Sequence, residues 1–340
     1  MDNIRFSIII PVRNAPKHLK KCLTAIHESL LDNFECIVVD DCSTDKTVSV
    51  AKGFPVRIFR TSAPKGPAHA RNIGAKHARG QILFFVDADV LVCADTLLKI
   101  DRALRNHPEI DAIIGSYDNL PHDRSFVSQY KNLFHHYVHQ HLSLHTCTFW
   151  TGCGAVRKSV FDEIGGFDES YRLPAVEDIE FGFRLTQKKK KISLEKNIRV
   201  KHLKRWTFWN LLKTDILQRG IPWTVLILQN KRFPNDLNIS ISQRISIALV
   251  YLLLFSLFLT VAMVSYTPSF LMLSMSIFLS IVYANLHFYE FLARKRGPSF
   301  MIRAVPLHLT YYFYCGLSFL MGVMVFLGVS TTSKSVMLRK

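Results

Sequence analysis

Two aspartates separated by one residue, Asp87 and Asp89, follow the apolar residues 82–86. Alternate residues on an extended chain share a face, so the two carboxylates can converge on one hard cation. Mg²⁺ and Mn²⁺ suit carboxylate ligands that are combined with substrate phosphates. This spacing therefore predicts a site for a divalent cofactor, Mg²⁺ or Mn²⁺, that grips a diphosphate.

A second acidic pair, Asp40 and Asp41, also comes at the end of an apolar segment, residues 35–39. A carboxylate just beyond a strand can accept hydrogen bonds from a nucleobase edge or a ribose hydroxyl. The pair therefore predicts a nucleotide site. The alternative for the polar residues of this segment is helix capping, by Ser43, Thr44 or Asp45.

Glycine-rich segments precede a third acidic pair, Glu177 and Asp178. The glycines of residues 151–154 and 165–166 allow the backbone to approach a ligand closely. A carboxylate of the pair could act as a general base that takes a proton from an acceptor hydroxyl. The alternative is the acidic first turn of a helix, which the helix dipole stabilises.

Three other residues have side chains that could bind an anion or a ring. Arg71 lies where residues 66–74 enter a predicted helix, so it could face a phosphate; a surface arginine is an equal alternative. Arg219 could neutralise a leaving diphosphate, and Trp223 could stack on a sugar or a base. The alternative for both is an amphipathic interfacial helix with snorkelling cations and a tryptophan anchor.

Short apolar segments alternate with amphipathic ones before residue 90, and this alternation predicts the elements that hold the candidate side chains. We predict strands over residues 6–12, 35–39, 56–59 and 82–86, and helices over residues 17–31, 46–52 and 68–79. Continuous apolar strands that alternate with helices indicate a parallel sheet covered on both faces. Ligands of such sheets bind beyond the carboxyl ends of the strands, where both aspartate pairs stand.

The composition of the 340 residues excludes some classes of protein. Hydrophobic residues make up 49%, which excludes wholesale disorder. The seven cysteines form no CxxC pair, which argues against a disulfide framework or a zinc ribbon. The formal net charge of +17 indicates an anionic partner: nucleic acid, nucleotide phosphate or an acidic membrane face.

Two long uncharged segments, residues 245–289 and 304–333, predict an integral membrane protein. One span needs about 20 apolar residues, so the first segment fits two helices with a turn at 265–268. We predict spans at about 245–264, 269–289 and 304–329. The basic residues flank these spans, so anionic lipid explains the charge and no nucleic-acid partner is expected. The positive-inside rule places the N-terminal domain in the cytosol, at an inner or plasma membrane.

Together these motifs resemble a membrane-bound, inverting glycosyltransferase of family 2 with the α/β GT-A fold, a Rossmann-like and mostly parallel sheet. The resemblance runs from about residue 6 to 223, and six motifs occur in the family's order: SIIIPVRN at 7–14, VDDCSTD at 39–45, ARNIG at 70–74, DAD at 87–89, TGCG at 151–154 and ED at 177–178. Residues 218–223, QRGIPW, are similar to the QxxRW element of membrane-bound relatives, but here the arginine directly follows the glutamine.

The resemblance implies a domain organisation and a role for each motif. The organisation is a GT-A domain over 1–200, a basic amphipathic interfacial segment over 201–243, transmembrane helices over 244–333 and a tail over 334–340. Binding of the donor nucleotide sugar would involve Pro11, Arg13, Asp40, Asp41, Arg71, Asp87, Arg219 and Trp223. Asp87 and Asp89 would hold the metal, and Asp178 would be the catalytic base. The acceptor site would be bordered by Gly152, Cys153 and Glu177.

The implied activity is one-step transfer of a sugar, with inversion, from a nucleotide-diphosphate donor to a hydroxyl of a lipid-linked or saccharide acceptor at the cytosolic membrane face. One alternative is a polyprenyl-phosphate glycosyltransferase, whose acceptor is already anionic and needs no base. Another is a catalytically inactive, membrane-anchored binding or scaffold protein. The presence of Asp87, Asp89 and Asp178 favours an enzyme.

Overall fold

The computed structural model describes residues 4–141, 145–231 and 240–331. These residues divide into two compact units, one that ends at Thr207 and one that begins at Phe208.

The first unit is an α/β domain. Its described strands are β1 (Phe6–Val12), β2 (Phe34–Asp40), β3 (Arg57–Arg60), β4 (Ile82–Phe85), β5 (Val90–Leu91), β6 (Ala112–Tyr117), β7 (His145–Thr146), β8 (Gly154–Arg157) and β9 (Ile192–His202). Its described helices are α1 (Pro16–His27), α2 (Thr47–Ala51), α3 (Pro67–His77), α4 (Thr96–Asn106), α5 (Phe126–His141), α6 (Lys158–Ile164) and α7 (Glu177–Gln187). The predicted alternation of strands and helices before residue 90 is confirmed.

The strands form one sheet in the order β3-β2-β1-β4-β8-β6-β9-β5, with β7 paired to β9. The first four strands of this order are parallel, as predicted. Beyond β4 the sheet is mixed, because β8 runs antiparallel to both β4 and β6. The pairings of β5 and β7 with β9 are antiparallel as well, so the sheet is Rossmann-like in its first half but mixed as a whole, not mostly parallel as predicted.

The core lies on both faces of the sheet. In β1, Ile8 and Ile10 pack into one apolar cluster and Ile9 packs into the other. In β4, Phe84 and Phe85 divide between the two clusters in the same way. Burial of each such side chain contributes about 1.5–3 kcal/mol, which explains why successive residues of these strands are apolar on both faces.

The second unit is helical. It contains α8 (Phe208–Lys213), a π-helical segment (Thr214–Gly220), α9 (Ile221–Asn230), α10 (Ile241–Ala262), α11 (Thr267–Ala284), α12 (Leu286–Arg296) and α13 (Pro298–Thr331). Among the described residues, three helical segments are long and apolar enough to cross a membrane: Ile241–Ala262, Thr267–Ala284 and Pro298–Gly328.

Two of these segments differ from the predicted spans. The second ends at Ala284, because the chain breaks at Asn285 before α12 begins, whereas the prediction continued to residue 289. The third begins at Pro298 and includes Arg303, whereas the predicted span begins only after this charged residue, at 304. Proline is favourable in the first turn of a helix, and one arginine near the end of a span can reach the interface, so neither residue stops this helix.

The break at Asn285 is held by buried hydrogen bonds. The side-chain nitrogen Nδ2 of Asn285 donates to the Ser246 hydroxyl at 3.1 Å, and the side-chain oxygen Oδ1 accepts from the Tyr312 hydroxyl at 2.7 Å. Tyr289 and His308 are also buried, and the Tyr289 hydroxyl lies 3.2 Å from Nδ1 of His308. Between apolar helices these bonds satisfy polar groups that lipid could not.

Candidate active site

The ends of β1 and β2 are joined by hydrogen bonds between their loops. The Asn14 amide donates to the Ser43 hydroxyl, and the Asn14 side-chain oxygen accepts from the Thr44 amide, both at 2.9 Å. Asn14 and Cys42 both have positive φ, at 50° and 59°, a conformation that is strained for residues with a side chain. Such strain persists only where the surrounding structure enforces it, and here it lies in the two loops predicted to bind a nucleotide.

Asp41 is buried and organises the loop that follows β3. Its carboxylate accepts hydrogen bonds from the Thr61 hydroxyl and from the backbone amides of Lys65 and Gly66, each at 2.9 Å. Asp40 is also buried; it accepts from the Ser43 amide and lies 3.1 Å from Nε of Arg60. Both carboxylates are thus engaged by the protein itself.

The other residues of this edge lie near the surface. Pro11 is half-buried in β1 opposite Val39, and Arg13 is exposed in the loop that follows β1. Asp45 accepts a hydrogen bond from the amide of Thr47, two residues later, as in an Asx turn. The N-cap residue of α2 is Lys46 and makes no side-chain cap hydrogen bond, so capping of this helix by Ser43, Thr44 or Asp45 is not observed.

Asp87 and Asp89 follow β4, and their side chains are 35% and 30% exposed. One oxygen of Asp87 accepts a hydrogen bond from Arg71, and one oxygen of Asp89 lies 3.2 Å from Nε2 of His202. Burial opposes ionisation of Asp89, but the neighbouring His202 outweighs it and lowers the pKa of Asp89 to about 2. Asp89 is therefore set up to be anionic.

This pair fits a divalent cation that also binds substrate. Among the described residues, no three His, Cys, Asp or Glu side chains form a metal-binding group. Mg²⁺ in particular is commonly held by one or two carboxylates, with waters and phosphate oxygens completing the coordination. The donor set of Asp87 and Asp89 suits such an ion rather than an all-protein cage.

Arg71 connects Asp87 to Glu177. Its two terminal nitrogens donate to Asp87 Oδ1 and to Glu177 Oε1, both at 2.8 Å, and its guanidinium lies 5.7 Å from the centre of the Phe167 ring. Burial disfavours the charge, but Asp87 and Glu177 outweigh it and raise the pKa of Arg71 above its ordinary value. Arg71 is 4% exposed, so the surface alternative is wrong, and a phosphate contact stays a prediction.

Asp178 lies in the first turn of α7 and is half-buried. One of its oxygens accepts hydrogen bonds from the amide and the hydroxyl of Thr151, at 3.2 and 3.3 Å. Burial and then the charge of Glu177 raise the pKa of Asp178 well above the usual range, although Arg71 acts in the opposite direction. A carboxylate with a raised pKa is suited to accept a proton in catalysis.

The TGCG segment, residues 151–154, which contacts Asp178 through Thr151, is tightly packed. A side chain at Gly152 would come within 2.4 Å of the Trp150 ring, and Cys153 is 1% exposed beside Gly115. Glu177 is 4% exposed. Their burial does not support direct contact of Cys153 or Glu177 with an acceptor, and the glycine requirement at residue 152 is one of packing.

Arg219 and Trp223 belong to the second unit. Arg219 is the last residue but one of the π-helical segment, about one turn after Asp215, with 3.5 Å between its guanidinium and that carboxylate. Asp215 also accepts a hydrogen bond from the Tyr314 hydroxyl at 2.7 Å. Trp223 is half-buried in α9. π-Helical segments are frequent at functional sites.

Two partners in this site were not predicted. His202 contacts Asp89 because β9 pairs with β5, and Thr151 contacts Asp178 across 27 residues of sequence. Thr151 begins the TGCG motif, so the motif was noticed but the role of its first residue was not. No local pattern marks His202.

Comparison with known proteins places residues 7–165 in the family model described as glycosyl transferase family 2. An uncharacterized glycosyltransferase of Haemophilus influenzae is 28% identical over 189 residues, which are 53% of this chain and 62% of the relative. A dolichol-phosphate mannosyltransferase of Pyrococcus furiosus is 31% identical over 137 residues, which are 37% of this chain and 39% of the relative. In both, the match spans less than two thirds of the relative's length.

A solved structure also resembles this chain. The mannosyltransferase PcManGT from Pyrobaculum calidifontis, in complex with GDP-Man and Mn²⁺, matches with a TM-score of 0.56 at 16% identity, over 97% of this chain and 88% of the other. At this identity the likeness concerns the fold. With the motifs, the sheet topology and the family match in agreement, residues 7–165 are a glycosyltransferase domain of family 2, and the fold is GT-A.

Proposed function

We propose that this protein is an inverting glycosyltransferase, which moves a sugar from a nucleoside-diphosphate donor to a hydroxyl group of an acceptor. The observation that carries the proposal is the bridge made by Arg71. Through its two 2.8 Å bonds it brings together Asp87, at the end of β4, and Glu177, the residue before Asp178. A candidate cation-binding edge is therefore hydrogen-bonded, through Arg71, to the residue next to the candidate base.

On the donor side, Asp87 and Asp89 would hold Mg²⁺ or Mn²⁺, which when bound would offset the charge of the departing diphosphate. The nucleoside would lie at the ends of β1 and β2, against Pro11 and Arg13. Asp40 and Asp41 accept hydrogen bonds from backbone amides of the protein, which supports a role for both carboxylates in shaping the adjoining loops. Contact of these carboxylates with the nucleotide would be an additional role.

On the acceptor side, Asp178 would accept the proton of the attacking hydroxyl. The acceptor oxygen forms a bond to the anomeric carbon as the bond from that carbon to the diphosphate oxygen breaks. Attack from the face opposite the leaving group inverts the configuration. Thr151 would orient Asp178 during this step through the two hydrogen bonds to one carboxylate oxygen.

The three apolar helices support membrane integration and a lipid-linked acceptor at the cytosolic leaflet. The basic residues Arg294, Lys295 and Arg296 at the end of α12 support the cytosolic orientation by the positive-inside rule. Arg219 would neutralise the leaving diphosphate, and Trp223 would stack on a sugar or base. A role in cell-envelope polysaccharide synthesis is consistent with such an acceptor.

A second candidate is transfer to a polyprenyl phosphate, which the name of the Pyrococcus furiosus relative favours. In that reaction the nucleophile is a phosphate oxygen, already anionic, so no general base is needed. The two candidates therefore differ in their need for Asp178.

The test is Asp178→Asn, with Asp168→Asn as the matched control, because Asp168 is exposed in the preceding loop. For a hydroxyl acceptor we expect transfer to fall by about 10²–10⁴-fold in Asp178→Asn, while thermal stabilisation by nucleoside diphosphate with Mn²⁺ is kept. Asp168→Asn should behave as the parent protein. Undiminished transfer to a hydroxyl by Asp178→Asn would reject the base, and undiminished transfer to a polyprenyl phosphate would favour the second candidate. Absence of transfer or hydrolysis with every nucleotide sugar would instead indicate a binding protein.

A further inference from the structure

We infer that Arg71 is a positioning residue, which fixes the diphosphate-binding aspartate and the helix of the base in one arrangement. This inference rests on the proposed function and deepens it. Arg71 lies in α3, Asp87 follows β4, and Glu177 begins α7, so one guanidinium ties together three elements. Asp87 and Glu177 lie 16 and 106 residues after Arg71 in the sequence.

Arg71 is shielded from solvent, and its buried Nε has no hydrogen-bond partner among the described residues. Both terminal nitrogens are used by carboxylates, and the residue is 4% exposed. The Phe167 ring lies against the guanidinium. A planar fork of this kind holds two acceptors in fixed directions, which lysine, with a single nitrogen, does not reproduce.

Glu177 passes this constraint to the base. One of its oxygens accepts from Arg71 and the other accepts from the Ala175 amide at 2.9 Å, so the first turn of α7 is held from two sides. Asp178 is the next residue and is itself held by Thr151. Without the bridge, Asp87 and Asp178 would each lose a neighbour that sets their relative position.

The charges of the bridge act on Asp178 with opposite signs, which makes the inference testable. Glu177 raises the pKa of Asp178, whereas Arg71 lowers it; burial raises it further, Asp87 adds to the rise, and the Thr151 amide counters it. Removal of the Arg71 charge should therefore raise the pKa of Asp178, and removal of the Glu177 charge should lower it. A loss of packing alone would not shift the pKa of Asp178 in opposite directions in the two cases.

The matched control is Arg184, a second partly buried arginine that anchors the same helix. It donates to Glu180 and to the carbonyl oxygens of Ile164 and Gly166, and it lies over the Phe181 ring. It contacts none of the three site carboxylates Asp87, Glu177 and Asp178. Arg184→Met therefore removes an anchor of α7 while the bridge stays in place.

The experiment measures kcat/KM against pH for the full-length protein with a hydroxyl acceptor. We expect Arg71→Met to move the acidic limb of this profile, where kcat/KM falls with falling pH, to higher pH. The same variant should lower the plateau, the highest value of kcat/KM, at least tenfold. Glu177→Gln should move the limb to lower pH, and Arg184→Met should leave it in place. Arg71→Lys should restore the limb but leave the plateau low, because the charge returns without the two-way bridge. Shifts of the same sign in Arg71→Met and Glu177→Gln, or an equal shift in Arg184→Met, would overturn the inference.

A second measurement separates this inference from the proposed function and serves if Arg71→Met does not fold. Arg71→Lys keeps the charge, so we expect it to raise the Mn²⁺ concentration for half-maximal thermal stabilisation, measured with the nucleoside diphosphate that stabilises the parent most. Arg184→Lys should leave this concentration unchanged. If Asp178→Asn transfers normally but Arg71→Lys shows the Mn²⁺ effect, the base assignment fails and the bridge to Asp87 stands. An unchanged Mn²⁺ midpoint in Arg71→Lys overturns the bridge.

Discussion

Thr151 donates both its backbone amide and its hydroxyl to the same oxygen of Asp178, at 3.2 and 3.3 Å. The two residues are 27 positions apart in sequence. Thr151 opens the short turn that leads into β8, and Asp178 lies in the first turn of α7. The glycine-rich TGCG segment therefore holds the candidate base in place, in addition to packing against Trp150.

The raised pKa of Asp178 predicts how the activity depends on pH. The base works when deprotonated, so activity should be present above the pKa of Asp178 and be lost as the pH falls through it. Because burial and Glu177 raise that pKa, the loss should begin well above the range of an ordinary aspartate. A profile of kcat/KM between about pH 5 and pH 9 measures this, and a profile that stays flat down to the acid end would contradict it.

Asp41→Asn should weaken both the fold and nucleotide binding. The carboxylate accepts from one hydroxyl and two backbone amides, and an asparagine would turn an NH₂ group towards one of these donors. An unpaired buried donor costs about 1–3 kcal/mol, so we expect the Tm to fall by several degrees. Asp32→Asn is the control, because Asp32 is exposed. Equal Tm values for the two variants would argue against the role of Asp41 in the 61–66 loop.

Gly66→Ala should destabilise the domain more than Gly165→Ala. Both glycines have positive φ, at 92° and 84°. Gly165 is left-handed helical, which costs an L-residue about 1–2 kcal/mol, whereas Gly66, with ψ 172°, lies in a region that is essentially restricted to glycine. At Gly66 the new Cβ would also come within 2.2 Å of the Arg172 carbonyl oxygen, whereas at Gly165 nothing lies within 4 Å. Urea denaturation of each variant measures the difference. Equal losses of stability would show that the contact with Arg172 relaxes without cost.

Tyr312→Phe should loosen the helical unit. It removes the hydroxyl that donates to Asn285 at 2.7 Å, and hydrogen bonds between membrane helices contribute about 0.6–2 kcal/mol. Tyr283→Phe is the control, since Tyr283 is 80% exposed on α11. Thermal unfolding of the detergent-solubilised protein should show a lower midpoint only for Tyr312→Phe. A midpoint equal to that of the control would mean that Asn285 finds another partner.

The sequence predicted the first half of the sheet well because of where its strands lie. Strands β1, β2 and β4 are buried on both faces, and each contains a run of consecutive apolar residues. The later strand β6 is equally buried, but Gly115 and Ser116 interrupt its apolar residues. In β9, charged residues such as Glu195 and Lys196 interrupt the apolar positions, so neither its length nor its pairing could be read from local periodicity.

The candidate site was predicted as a set of residue types but not as a set of contacts. Arg71 was selected because it enters a helix, yet its partners are 16 and 106 residues away. His202 reaches Asp89 through pairing of two strands that lie far apart in sequence. Spacing within one segment carries information about that segment alone, and these bridges depend on the complete topology.

The position of β1 in the sheet has a consequence for any donor that spans its edge. β1 is hydrogen-bonded to β2 on one side and to β4 on the other, so the end of β2, which carries Asp40, and the end of β4, which precedes Asp87, are two interstrand steps apart, about 10 Å. The backbone hydrogen bonds between the strands fix this distance, and exchange of side chains leaves it unchanged. Evolution could therefore alter which base or sugar is accepted through the loops alone, while the distance between the two acidic tips stays constant.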